Sequence, residues 1–129
     1  MNSLIRGLVV IVSLLAWTVA CASETKPFDQ KTFGDLQAAG KPVLIHVHAD
    51  WCPTCKQQTP IIAELLATPE FNSYTVLKVN FDTQKDVRQL LRAAQQSTLI
   101  VYRGKKEVAR SIGDTSKGSI AATLRKGDS

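Results

Sequence analysis

Two cysteines, Cys52 and Cys55, stand three residues apart in Asp50-Trp51-Cys52-Pro53-Thr54-Cys55-Lys56. They follow a largely apolar run, Val43 to Val47, that reads as a buried strand, and an α-helical pattern begins at once after them. A cysteine at a helix N-terminus faces unpaired backbone N–H groups and the positive end of the helix dipole, which favour its thiolate. Pro53 suits the first helical position because it has no N–H to leave unsatisfied. Cys55 falls one turn further in on the same face, where the pair can close a small disulfide. The chemistry this arrangement suggests is reversible thiol–disulfide exchange.

Zinc sites use the same C-x-x-C spacing, but a ribbon-type site needs a second cysteine pair, and the only other cysteine is Cys21. A different donor set is available on the strand. His46 and His48, two residues apart, point to one face. With Cys52 and Cys55 they spell H-x-H-x3-C-x2-C, four ligands of the kind a soft or borderline metal takes. A metal-binding or metal-delivery module is therefore the alternative to redox exchange.

The elements that must position these residues follow in alternation. Phe28 to Ala39 reads as a short extended piece and a helix closing at Gly40, and Lys41-Pro42 breaks the chain before the strand. After the cysteines, Ile61, Ile62, Leu65 and Leu66 recur at helical spacing, with Pro60 inside the pattern as a kink. Thr75 to Phe81 alternates as a strand, and Asp82-Thr83 reads as a turn and helix cap. Lys85 to Ala94 is expected as a helix, Thr98 to Arg103 as a strand, Gly104-Lys105 as a hairpin turn and Glu107 to Ile112 as its partner. Ser119 to Leu124 makes a last helix. This β-α-β-α-β-α-β-β-α order predicts an α/β domain with a mixed sheet, parallel at its centre and antiparallel at the hairpin, flanked by helices.

The chain has 129 residues, enough for one domain with a modest core, and 44% of them are hydrophobic. The formal charge of +5 comes from basic residues scattered among acids. No clustered patch with aromatic platforms appears, which argues against nucleic acid as a partner. At the N-terminus, Arg6 precedes an uncharged apolar stretch from Gly7 to Trp17, and Ala20-Cys21-Ala22 supplies small residues before Ser23. Residues 1–22 thus read as a secretory signal peptide, residues 23–27 as a polar linker and residues 28–126 as the domain. Thr18-Val19-Ala20-Cys21 resembles a bacterial lipobox, with Thr18 where that pattern prefers leucine, so a lipid anchor at Cys21 or an uncleaved membrane anchor is the alternative. Each route predicts an exported protein, in a compartment where disulfides persist, most simply a bacterial periplasm.

The segment Ala49 to Lys56 closely resembles the active site of the thioredoxin family. The resemblance extends to Pro60, at the family's distance after the second cysteine, and to Ile112-Gly113 with Ser116-Lys117-Gly118 near the C-terminus. It implies a thioredoxin fold over residues 28–126, Cys52 as nucleophile, Cys55 as resolving thiol and a redox-active Cys52–Cys55 disulfide, with no cofactor. It assigns substrate contact to Trp51, Gln96, Ser97 and Gly113. The implied partners are cysteine-containing client proteins and a membrane thiol electron donor, with the N-terminus as a candidate tether. The chain has no room for the helical insertion of DsbA-type oxidases, and minimal members of the family more often reduce.

Three positions depart from the family. A buried aspartate six residues before the nucleophile is replaced by His46, a candidate proton acceptor for Cys55 if neutral and a thiolate-stabilising cation if protonated. Lys78, where the family pairs a lysine with that aspartate, is expected to hold His46 neutral by charge repulsion. The usual tryptophan is His48. The cis-proline facing the cysteines is Ser97, in Gln95-Gln96-Ser97-Thr98. A cis bond before a residue other than proline costs roughly 2.5–4 kcal/mol, so the Gln96–Ser97 peptide is expected to be trans. In this family, loss of that proline also opens the cysteine pair to metal.

Overall fold

The computed structural model describes residues 23–128. Five strands form one sheet: β1 (Glu24–Pro27), β2 (Pro42–His48), β3 (Thr75–Asn80), β4 (Thr98–Arg103) and β5 (Lys106–Ile112). Their spatial order is β1-β3-β2-β4-β5. β1 and β2 both run parallel to β3, while β4 runs antiparallel to β2 and β5 antiparallel to β4. Four helices cover it: α1 (Gln30–Ala38), α2 (Pro53–Leu66), α3 (Lys85–Leu90) and α4 (Lys117–Arg125). No helix among the described residues is long and apolar enough to cross a membrane. The expected signal segment and the candidate lipid anchor at Cys21 lie outside the described residues.

β2 is the middle strand, and Pro42 to Val47 are all buried. Its period-two alternation sorts side chains between two cores. Val43, Ile45 and Val47 join Phe28, Phe33, Leu77, Val79 and Ile100 on one face. Leu44 points the other way, into a cluster with Ile62, Leu65 and Leu66 of α2 and Ile120 and Leu124 of α4. His46 and His48 share the Leu44 face, so both lie on the α2 side of the sheet.

Several boundaries differ from the sequence reading. Residues 24–27, read as a linker, are the edge strand β1, and just after it the Phe28 N–H donates to Lys78 O at 2.8 Å. The domain therefore begins at 24. α3 stops at Leu90, four residues short, because Arg92 adopts a positive φ of 53° and the chain turns. Its cap is Gln84; Asp82 and Thr83 belong to a turn whose N–H groups both donate to Asn80 Oδ1. α4 begins two residues earlier than expected because the Ser116 hydroxyl caps it.

Candidate active site

The turn after β2 delivers Cys52 to the N-cap of α2, with Pro53 in its first turn. The Cys52 sulfur accepts a hydrogen bond from the Cys55 N–H at 3.1 Å. It thus fills the role a serine or aspartate oxygen plays at other caps, and the helix places an N–H donor where a thiolate would form. Cys52 is 2% exposed and Cys55 fully buried, and both are free thiols.

Ser97 closes the site from the β4 side. Its hydroxyl lies 3.2 Å from the Cys52 sulfur and 3.2 Å from the Cys55 sulfur. The Gln96–Ser97 peptide is trans, as is every described peptide bond, and Ser97 has a φ of 62°. That left-handed conformation is unfavourable for a side-chain-bearing residue by roughly 1–2 kcal/mol. Three backbone contacts hold it. The Ser97 N–H donates to Val47 O at 2.8 Å, and its carbonyl accepts from the Gly113 N–H at 3.0 Å and from Gln58 Nε2 at 3.1 Å. Proline could supply neither the positive φ nor the N–H.

Gln58 is the functional residue that sequence reading missed. It sits three residues after Cys55 on the same face of α2 and is fully buried. Its amide nitrogen donates to Ser97 O and, at 2.9 Å, to Asp114 O. With both amide protons given to carbonyls, Oε1 must be the atom facing His46 Nε2, 3.0 Å away. Carbonyl oxygen accepts, so His46 Nε2 carries the hydrogen. His46 is thereby joined to the cysteines through Gln58 and the Ser97 backbone, and no hydrogen bond links it to either sulfur.

The titration tendencies follow from this packing. Burial, more than the neighbouring His48 and Lys78, pulls His46 down from its ordinary 6.5 to about 4, against the opposing effect of its bond to Gln58. Charge repulsion from Lys78, the expected cause, is the smaller contribution. A neutral His46 at pH 7 excludes its role as a thiolate-stabilising cation. Burial pushes the Cys52 thiol up, yet hydrogen bonds from the Cys55 thiol, the Ser97 hydroxyl and the Cys55 and Thr54 N–H groups outweigh it and hold Cys52 below the ordinary cysteine value. Burial and the hydrogen bond to Cys52 push the Cys55 thiol up. The pair is asymmetric: Cys52 is the readier thiolate and Cys55 the retained thiol.

His48 is half-buried, its Nδ1 3.7 Å from Asp50, in a groove of about 500 Å³ also lined by Lys56, Thr59, Pro60 and Lys78. Its ring meets that of His46 edge to face at 5.4 Å. Among the described residues, no three His, Cys, Asp or Glu side chains converge as a metal site. Trp51 stands 56% exposed beside Cys52, its indole N–H donating to Asp82 at 2.9 Å and its ring edge-on to Phe81. Ile112, also exposed, ends β5 opposite Thr98, and the Gly113 N–H that follows donates to Ser97 O. Half-buried Gln96 leads into Ser97, and its backbone makes no hydrogen bond among the described residues.

A CxxC nucleophile at a helix cap, set against a five-stranded mixed sheet, can be compared with known proteins. The thioredoxin family model matches residues 24–126. The chain belongs to the thioredoxin family. It is 36% identical to the thioredoxin of Chlamydia trachomatis over 97 residues, covering 75% of this chain and 92% of that one. It also matches the bifunctional thioredoxin reductase/thioredoxin of Mycobacterium leprae at 30% over 96 residues, spanning 21% of that longer protein. Among solved structures, Trxlp from Edwardsiella tarda superposes with a TM-score of 0.75 at 48% identity, covering 80% of this chain and 98% of that one. The fold is the thioredoxin fold, the protein is a thiol–disulfide oxidoreductase, and Cys52 and Cys55 are its redox pair.

Proposed function

We propose that this oxidoreductase is exported to a bacterial periplasm and works there as a reductase of disulfides in client proteins, recharged by a thiol donor in the membrane. The observation that carries the chemistry is the asymmetry of the pair: the Cys52 sulfur sits at the head of α2 under two hydrogen-bond donors, while burial keeps Cys55 protonated. The Cys52 thiolate attacks one sulfur of a client disulfide, and the other client sulfur leaves as a thiolate and takes a proton from water. Cys55 then loses its proton and attacks the Cys52 sulfur. The client sulfur held by Cys52 departs with the bonding electron pair, is protonated, and leaves Cys52–Cys55 oxidised. Two electrons from the donor thiol pair restore the dithiol.

Trp51, Ile112 and Gly113 rim the site, and the unpaired backbone of Gln96 offers an extended client segment a place to hydrogen-bond in the manner of strand addition. Export is supported by the Arg6-led apolar leader. Insulin-disulfide reduction tests the activity. Wild-type protein should reduce insulin catalytically and Cys52→Ser should not; equal rates for the two would sink the reading. Expression of the full chain in a Gram-negative host should release it, or a membrane-bound form of it, with the periplasmic face. Recovery only in cytoplasm would contradict export.

A further inference from the structure

The contact that has no counterpart in the family's cis-proline is the hydroxyl of Ser97. It is buried, 3.2 Å from each sulfur, on a residue whose backbone N–H and carbonyl are both hydrogen-bonded. A hydroxyl owns one proton and two lone pairs. Between two sulfurs it can donate to only one at a time and accept from the other. When Cys52 is the thiolate, the Ser97 O–H donates to it alongside the Cys55 S–H.

After Cys52 has been captured in a mixed disulfide, its sulfur carries no charge and no longer calls for that proton. Cys55 must then ionise in a buried place that disfavours a thiolate. Rotation about the Ser97 Cβ–Oγ bond turns the same O–H from Cys52 to Cys55 without moving a heavy atom.

We propose that Ser97 is a catalytic residue of this oxidoreductase, a single hydroxyl that hydrogen-bonds the Cys52 thiolate during attack and the Cys55 thiolate during resolution. Gln58 and, through it, His46 are positioning residues, because they hold the Ser97 carbonyl and so the φ that aims the hydroxyl. No proton is consumed in the switch. Cys55 gives its proton to water, the Cys55–Cys52 bond forms as the Cys52–client bond breaks, and the client thiolate takes up a proton in turn. This inference rests on the thiol-exchange reading but asks about the sulfurs themselves, so it can fail while that reading stands.

The test is Ser97→Gly, chosen because glycine tolerates φ near 62° and loses only the hydroxymethyl group. Two readouts avoid any client. The first is the pH midpoint of Cys52 alkylation by iodoacetamide. The second is resolution: Cys52 is loaded with 5-thio-2-nitrobenzoate, and release of the coloured thiolate reports attack by Cys55. Loss of one hydrogen bond to a charged sulfur is expected to raise the alkylation midpoint by about one to two pH units and to slow resolution at neutral pH about tenfold. An unchanged midpoint would overturn the role toward Cys52, and an unchanged resolution rate the role toward Cys55. Ser97→Ala, tested in parallel, supplies the same two readouts if glycine loosens the loop. If both shifts appear while the wild type fails to reduce insulin, the hydroxyl switch stands and the client reading falls.

Discussion

The two halves of α2 are buried by opposite means. Beyond Pro60, Ile62, Leu65 and Leu66 pack against Leu44, Leu99 and Ile120, an apolar interface in which each side chain is replaceable by another of similar volume. Before Pro60, the buried face is Cys55 and Gln58, and every polar atom on it has a named partner. The first half gains from removing carbon from water. The second breaks even at best on stability, since desolvated polar groups only recover what they lose, but it fixes atoms to within a hydrogen bond. One helix therefore carries an anchor and an aiming device in sequence, with Pro60 between them removing the hydrogen bond to Lys56 O.

This contrast can be broken from either end. The largest effect belongs to the apolar half: Leu65→Ala should destabilise the fold by about 2–5 kcal/mol in denaturant titration, with the Cys52 alkylation midpoint of the folded protein unmoved. Gln58→Leu should cost less, about 1–3 kcal/mol, because it orphans the His46 Nε2–H and the Asp114 carbonyl. Unlike Leu65→Ala it should also shift the alkylation midpoint upward, by releasing the Ser97 backbone. A stability loss without that shift would mean that Gln58 only packs.

The smallest effect comes from pH. His46 binds its proton near pH 4 when folded and near 6.5 when unfolded, so between those values the unfolded chain holds more protons. Stability is then full above about 6.5 and falls as pH drops toward 4, by roughly 1 kcal/mol between pH 7 and 5.5. Equilibrium unfolding at those two pH values checks it. His46→Phe should flatten that part of the profile, and an equal slope in the variant would assign the loss to other groups.

Much of the apolar anchor was legible in the sequence, and little of the polar network. Ile62, Leu65 and Leu66 announce themselves by spacing, and β2 by its unbroken apolar run. β1 does not, because an edge strand paired on one side and mostly exposed, Glu-Thr-Lys-Pro, has no alternation to read. The end of α3 was overrun because Leu91 and Ala93, buried beyond the helix, continue its apolar pattern. In the site, the cysteines and the histidine-for-aspartate exchange were visible as residue types. Gln58 was not, since an exposed glutamine, Gln57, stands beside it and nothing local distinguishes the two. The helical phase could have found it: with Cys55, Ile62 and Leu65 on one stripe, a glutamine at 58 falls on the buried face. Ser97 was read as an absent proline, whereas its hydroxyl, aimed by contacts from three separate segments, is a gain that only the folded chain displays.

The measurement closest to the centre of this account is the pH titration of Cys52 reactivity in the wild-type dithiol protein, followed by mass spectrometry to identify the alkylated residue. The account predicts that Cys52 is alkylated first, with a midpoint below the roughly 8.5 of a free cysteine, while Cys55 stays unmodified over the same range. Alkylation of Cys55 ahead of Cys52, or a Cys52 midpoint at or above that of a free thiol, would contradict it.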